Sequence, residues 1–256
     1  MSRRESAAVS SLPRPVATAI IAALLACAAA GWVFTAQQAA STSGMSGMAM
    51  LGAGLFLVIW VVMMVAMMFP ATVPMVLTHA RVGRSRGEGS LPTVAFILGY
   101  IVVWAAAGLV PLAVIQIAGS AGGLGGWVPR LGGAVILLAG IYQLTPLKNV
   151  CLSQCRSPLA FILTHDFGGG SPAAARAGMS HGLYCLGCCW ALMAVLAVLG
   201  FMNLAWMAAF AAVFFLEKNW SRGVMLSRIV GVACVVLGFA VMIQPGVLPM
   251  VGGSMV

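Results

Sequence analysis

The chain reads as an all-α protein, a polytopic bundle of about seven transmembrane helices, and three observations carry that reading. Hydrophobic residues make up 62% of the sequence and charged residues only 7%, which is too little polar surface to coat a water-soluble globule of this size. Several apolar runs approach or exceed the roughly eighteen to twenty residues that cross a bilayer core of about 30 Å. Finally, the basic residues gather in every second connection between those runs, and only Arg130 falls near the other side. Arg3, Arg4 and Arg14 precede the first, Arg81, Arg84 and Arg86 follow the second, Lys148, Arg156 and Arg176 follow the fourth, and Lys218, Arg222 and Arg228 follow the sixth. A net charge of +9 would by itself admit a nucleic-acid partner, but this alternation is a signature of membrane topology. The positive-inside rule places the N-terminus in the cytoplasm and the C-terminus outside. Residues 1–15 are then a cytoplasmic segment and residues 16–250 one bundle domain whose partner is the lipid bilayer, with no nucleic acid.

The spans follow in order. Residues 16–36 form the first; its basic start and Ala28, Ala29 and Ala30 also fit a signal peptide, but a run of this length is more often retained as an anchor. Cys27 within it reads as a small apolar filler. The uncharged outside loop 37–50 carries Met45, Met48 and Met50 on a glycine-bearing segment, and such thioethers capture soft Cu(I). The second span, 51–77, places Met63 one turn from Met67 and Met64 one turn from Met68, so their sulfurs can share a ligand. Pro70 and Pro74 remove two backbone donors and predict a kink near Ala66. His79 sits at the edge of the basic turn that follows and reads as an interfacial residue. The third span, 91–117, contains Gly99, Tyr100 and Trp104 and is broken by Pro111. A glycine-rich turn at 119–126 leads to the fourth, 128–145, where Gly132, Gly133 and Gly140 permit close helix approach.

The longest connection, 146–178, begins with Cys151 and Cys155 flanking a turn just inside the cytoplasmic face. Residues 159–163 then lie along the interface, and a polar turn holds His165 and Asp166. Ser171 followed by Pro172 is a good start for the fifth helix, with Ser as cap and Pro at the first position. A turn at 200–203 leads to the short sixth span, 204–216, closed by Glu217 and Lys218. The seventh span, 229–248, contains Cys234.

The chemistry concentrates on the fifth helix. Side chains three and four apart share a helical face, so His181, Cys185, Cys188, Cys189 and Met193 form one stripe. The helix enters the membrane near Gly182, which puts Cys188 roughly 9 Å deep. Cys151 and Cys155 lie just before it, so five of the seven cysteines converge on one side. Glu217 ends the neighbouring helix at the same level and can take protons released when thiols bind metal; its alternative role is an interfacial ion pair with Lys218 or Arg222. Cytoplasmic thiols stay reduced, so a cluster of them points to metal binding or redox work, not to disulfide staples. The paired loop knuckles of a zinc site are missing, and the thioethers Met63, Met64, Met67 and Met68 turn the choice toward copper(I), with another soft metal as the alternative.

Several stretches together resemble a known family: Trp60 with residues 66–70 (AMMFP), Gly99 and Tyr100 with Trp104, residues 142–148 (YQLTPLK) leading to Cys151, Cys155, Arg156 and Pro158, residues 185–193 (CLGCCWALM), Gly200 with Met202 and Asn203, and Glu217 with Lys218. The chain is similar over residues 51–222 to the bacterial family described as predicted metal-binding integral membrane proteins, sometimes labelled copper chaperones. The resemblance implies metal binding but no particular reaction.

The function expected is therefore Cu(I) binding and transfer or uptake in the bacterial inner (cytoplasmic) membrane, by a protein that is not an enzyme. Thioethers would collect and carry the metal, the Cys cluster would receive it, and a metallochaperone or copper-enzyme assembly partner would stand at the other end of the transfer. A membrane thiol-disulfide oxidoreductase using Cys151 and Cys155 is the alternative, and a structural subunit of a membrane complex a third. Hydrolytic triads, haem-attachment motifs and phosphate-cradling loops are absent from the sequence.

Overall fold

A computed structural model describes residues 12–41, 52–120, 128–165, 169–201, 203–244 and 246. The Met45, Met48 and Met50 loop, Asp166, Met202 and most of the glycine-rich turn lie outside those residues. The described chain is all-helical: α1 Arg14–Ser41, α2 Ala53–Ser85, α3 Leu91–Ala107, α4 Leu109–Ser120, α5 Val128–Leu144, α6 Pro146–Arg156, α7 Pro158–Thr164, α8 Gly170–Leu199, α9 Leu204–Asn219 and α10 Gly223–Ile243.

Among the described residues, five helices or nearly continuous helix pairs are long and apolar enough to cross a membrane: 14–40, 53–85, 91–117, 170–199 and 223–243. The count becomes six if α5 and α6, bent by 65° at their junction, make one span. These helices are compatible with a multi-pass membrane protein, and two places depart from straight, full-length spans. α9 has 16 residues, or about 24 Å at the α-helical rise, short of the bilayer core. The fourth run does not continue straight, because Thr145 is extended and its Oγ1 accepts the Lys148 amide hydrogen bond while Pro146 opens a new helix. Cys151 and Cys155 therefore do not flank a turn; they stand one turn apart on α6.

Three other boundaries move for local reasons. α2 runs through Pro70 and Pro74 without interruption and continues past the second apolar run to Ser85, which brings His79 inside the helix as a buried residue. The third run divides at Gly108, one turn before Pro111. There Trp60 Nε1 donates to the Trp104 carbonyl at 2.8 Å, and its ring lies where a Cβ on residue 108 would stand, 2.5 Å from Cδ1. α8 begins at Gly170 without a side-chain cap from Ser171; Glu88 Oε1 accepts the Gly170 amide at 2.9 Å instead. A carboxylate placed there also suits the positive end of the helix dipole.

Small residues set how closely the helices pack, as expected where apolar surface gains little by leaving lipid. α3 meets α8 at Gly99 and Gly178: a Cβ on Gly99 would lie 2.2 Å from the Ala175 carbonyl oxygen, and one on Gly178 would lie 2.0 Å from that of Phe96. α5 meets α10 in the same way, with Gly140 against the Val235 amide at 2.6 Å and Gly238 against the Leu137 amide at 2.5 Å. Gly133 closes on Val241 and Met242.

The α3–α8 crossing gives a direct test. Gly178→Val places a branched side chain inside the Phe96 backbone, so the two helices must part at a cost of about 1–3 kcal/mol or more. A lower thermal midpoint in detergent and a lower membrane yield are expected; an unchanged midpoint would show that the helices do not approach as described.

Candidate metal centre

The centre of the bundle is a patch of sulfur. Four thiols, those of Cys155 on α6 and Cys185, Cys188 and Cys189 on α8, are each at least 92% buried, and all are free. Cys188 is the hub: its sulfur lies 3.9 Å from that of Cys155 and 3.4 Å from that of Cys189, and it donates to the Cys185 carbonyl at 3.1 Å. Cys185 lies in the same buried cluster. Because Cys185, Cys188 and Cys189 fall on one face of α8, only the approach of α6 is needed to add a fourth donor.

Two polar groups close this patch. Tyr100 Oη, on α3, lies 3.1 Å from Cys185 Sγ. Lys218 Nζ, from the last turn of α9, donates to Cys185 Sγ at 3.0 Å and to Met68 Sδ at 3.7 Å. Met68 is fully buried, and Met63, Met64 and Met67 are buried with it in the core of α2; of these four thioethers, Met68 is the one in contact with Lys218. Met193 is buried on α8, two turns beyond Cys185. Among the described residues no three His, Cys, Asp or Glu side chains are arranged as a ready-made metal cage. Cys188 touches the thiols of Cys155 and Cys189, and Cys185 touches the lysine.

Three of the expected donors have other surroundings. His181, one turn before Cys185 and 2% exposed, stands among aromatic rings, with centroids 5.3 Å from Phe161, 5.6 Å from Tyr100 and 6.0 Å from Phe96. Its Nδ1 has no hydrogen-bond partner. Cys151 is half-buried, with its sulfur against Gly187 at the place where a Cβ would lie 2.8 Å away. Tyr142 Oη holds that same turn of α8 by donating to the Gly187 carbonyl at 2.6 Å.

Glu217 forms an ion pair, but with neither of the two partners expected. Lys148 Nζ donates to both its carboxylate oxygens, at 3.0 and 2.8 Å, and also to Gln143 Oε1. Gln143 Nε2 donates to Glu217 Oε1 at 3.2 Å. Both ions are essentially inaccessible. Nearby, Arg156 donates to the backbone carbonyls of Glu217 and Ser221. Glu217 and Lys218 point apart because successive residues on a helix turn by about 100°. The glutamate faces α5 and α6, while the lysine faces α2 and α8.

The residues that sequence reasoning left out of the site are thus Tyr100, Lys148 and Lys218. Their signal was present: all three lie in the stretches that carried the family resemblance, and a lysine at a helix end on the same level as a thiol stripe can turn inward as readily as outward.

A helical protein with several long apolar helices that buries sulfur donors from separate helices side by side fits the class of membrane proteins that handle metals. The comparison with protein families agrees: the chain belongs to the PpoB2 family, described as copper chaperone, whose model matches residues 57–241. Neither the curated proteins nor the solved structures contain a match.

The buried ion pair generates a prediction. Removing one partner leaves an uncompensated buried charge, which costs about 3–5 kcal/mol. Lys148→Met should therefore strongly lower the thermal midpoint in detergent, and the double variant Lys148→Met/Glu217→Gln should recover much of the loss. If the two losses simply add, the pair is not buried as described.

Proposed function

We propose that this protein binds Cu(I) in a bacterial cytoplasmic membrane, with its N-terminus inside, and hands the metal on through ligand exchange. Cys155, Cys185, Cys188 and Cys189 are the principal ligands, Met68 the thioether that shares the Lys218 ammonium with Cys185, and Cys151 the half-buried thiol beside the cluster. The observation that carries the reading is the contact of Cys188 with thiols from its own helix and from α6. Metal–thiolate bonds of about 2.3 Å place tetrahedrally arranged sulfurs about 3.8 Å apart. The spacings of 3.4 and 3.9 Å need only side-chain adjustment to meet that geometry. Thiolate and thioether sulfurs favour Cu(I) among the available metals, which agrees with the description of the family as copper chaperones.

Direction follows from ligand strength. Met67, Met64 and Met63 continue the thioether face of α2 beyond Met68, and thiolates hold Cu(I) more tightly than thioethers do. Metal entering along α2 is therefore drawn toward the Cys cluster, from which Cys151 offers it to a partner's thiols. Met45, Met48 and Met50, which the sequence puts in an outside loop, are the collecting donors. His181, Met193 and Glu217 support the cluster without joining its first contacts: His181 fills the aromatic layer behind Cys185, Met193 packs on the same face of α8, and Glu217 anchors α6 through Lys148.

A second reading has one observation in its favour. Cys155 and Cys188 come from different helices with sulfurs 3.9 Å apart, so a thiol-disulfide exchange protein would use that pair, in place of Cys151 with Cys155.

The test is a titration of the protein, purified in detergent under reducing conditions, with Cu(I) against a chromophoric Cu(I) chelator. About one Cu(I) per chain is expected to be held, and the Cys185, Cys188, Cys189→Ser triple variant should lose that binding. Equal binding by native and triple variant would remove the copper reading. Reversible oxidation of Cys155 to Cys188 without metal uptake would favour the second.

A further inference from the structure

We propose that Lys218 is a place-holding cation: its ammonium fills the position between Cys185 and Met68 that the metal takes, and a soft monovalent cation enters by expelling it. The inference rests on reading the thiols as a Cu(I) site and adds what guards that site when metal is absent.

The argument begins with an unusual set of partners. Lys218 is 6% exposed, and its two hydrogen-bond acceptors are both sulfur, Cys185 Sγ at 3.0 Å and Met68 Sδ at 3.7 Å. Sulfur is a weak acceptor, and a buried ammonium is costly unless it is well paired. The carboxylate nearest in sequence does not relieve that cost, since Glu217 gives both its oxygens to Lys148. Thus α9 buries two side chains of opposite charge and sends only one of them to a conventional partner. The other is aimed at a thiol and a thioether from two different helices, which is the pair of donors a bridging Cu(I) would use.

Size and charge permit the exchange. A metal between these two sulfurs and the ammonium nitrogen would occupy the same few cubic ångströms, so they exclude one another. With Cys185 as the thiolate paired to the ammonium, the metal replaces one monovalent cation by another without a proton leaving that thiol, and the net charge of the low-dielectric interior is unchanged. A divalent ion adds a further buried charge, which is expensive there, so the lysine also discriminates by valence. The side chain has somewhere to go: Lys218 is one residue from the end of α9, on the same turn as the carbonyls gripped by Arg156. A four-carbon stem of this kind can lie along apolar surface while its head reaches water.

The chain contains two lysines, Lys148 and Lys218, and that makes the test clean. Native protein in detergent is treated with acetic anhydride with and without stoichiometric Ag(I), a redox-inert stand-in for Cu(I), and acylation of each lysine is read by peptide mass spectrometry. Lys218 should be protected in the metal-free protein and acylated several-fold faster once Ag(I) is bound, while Lys148 stays protected throughout; Zn(II) should not release Lys218. In parallel, Lys218→Met, which removes the competing charge, should bind Ag(I) about tenfold more tightly or better, as measured against a competing chelator. Protection of Lys218 that persists with Ag(I) bound overturns the proposal, even if the variant fails to fold. So does a Lys218→Met protein that binds Ag(I) no more tightly than native. Native protein that takes up neither Ag(I) nor Cu(I) instead defeats the copper reading itself, and the place-holder with it.

Discussion

The ion pair of Lys148 with Glu217 is the interaction on which the arrangement of the centre depends. It joins the start of α6 to the end of α9 where both ions are buried and neither can be left unpaired. Gln143 on α5 completes the network from the other side of the helix break. Once α6 is fixed there, Cys155, two turns beyond Lys148, is carried against Cys188, and Cys151 is pressed onto Gly187. The fourth thiol of the patch therefore owes its place to a charge pair that touches no sulfur at all.

The break between α5 and α6 is the second requirement. A straight helix continuing past Leu144 would carry Lys148, Cys151 and Cys155 along the bundle axis and away from α8. The Thr145–Pro146 junction turns the chain by 65°, and the Thr145 side chain supplies the acceptor that the first amides of α6 lack. The helix contacts made by glycine act to the same end. With Gly99 and Gly178 in contact range of facing backbones, Tyr100 comes near enough to α8 to reach Cys185.

Much of this was legible in the sequence, and the limits have physical causes. The apolar runs gave the helices, and the period of the helix gave the stripe of Cys185, Cys188 and Cys189, because both depend only on local geometry. The partners of Glu217 were not legible, since the choice among Lys148, Lys218 and Arg222 is settled by how α5, α6 and α9 pack, and a one-residue step along a helix already changes the facing neighbour. His181 shows the same limit from the other side: its position on the stripe was readable, but the rings of Phe96, Tyr100 and Phe161 that surround it come from two other helices. The cap of α8 also went astray for this reason. Ser171 has the right chemistry, yet Glu88, more than eighty residues away in sequence, is closer to the free amide.

Lys218 and Glu217 together explain why a membrane-type bundle tolerates so much buried polarity at one level. Each charge taken singly would favour turning α9 outward, and the two side chains, pointing about 100° apart, cannot share a single partner. The helix is stable in its place only if it is gripped on both sides, by a cation from α6 and by sulfur from α2 and α8. If Lys218 yields to a metal as proposed, one grip loosens and the other stays intact. The Lys148–Glu217 pair then keeps α6, and with it Cys155 and Cys151, in position while the occupant of the thiol patch changes.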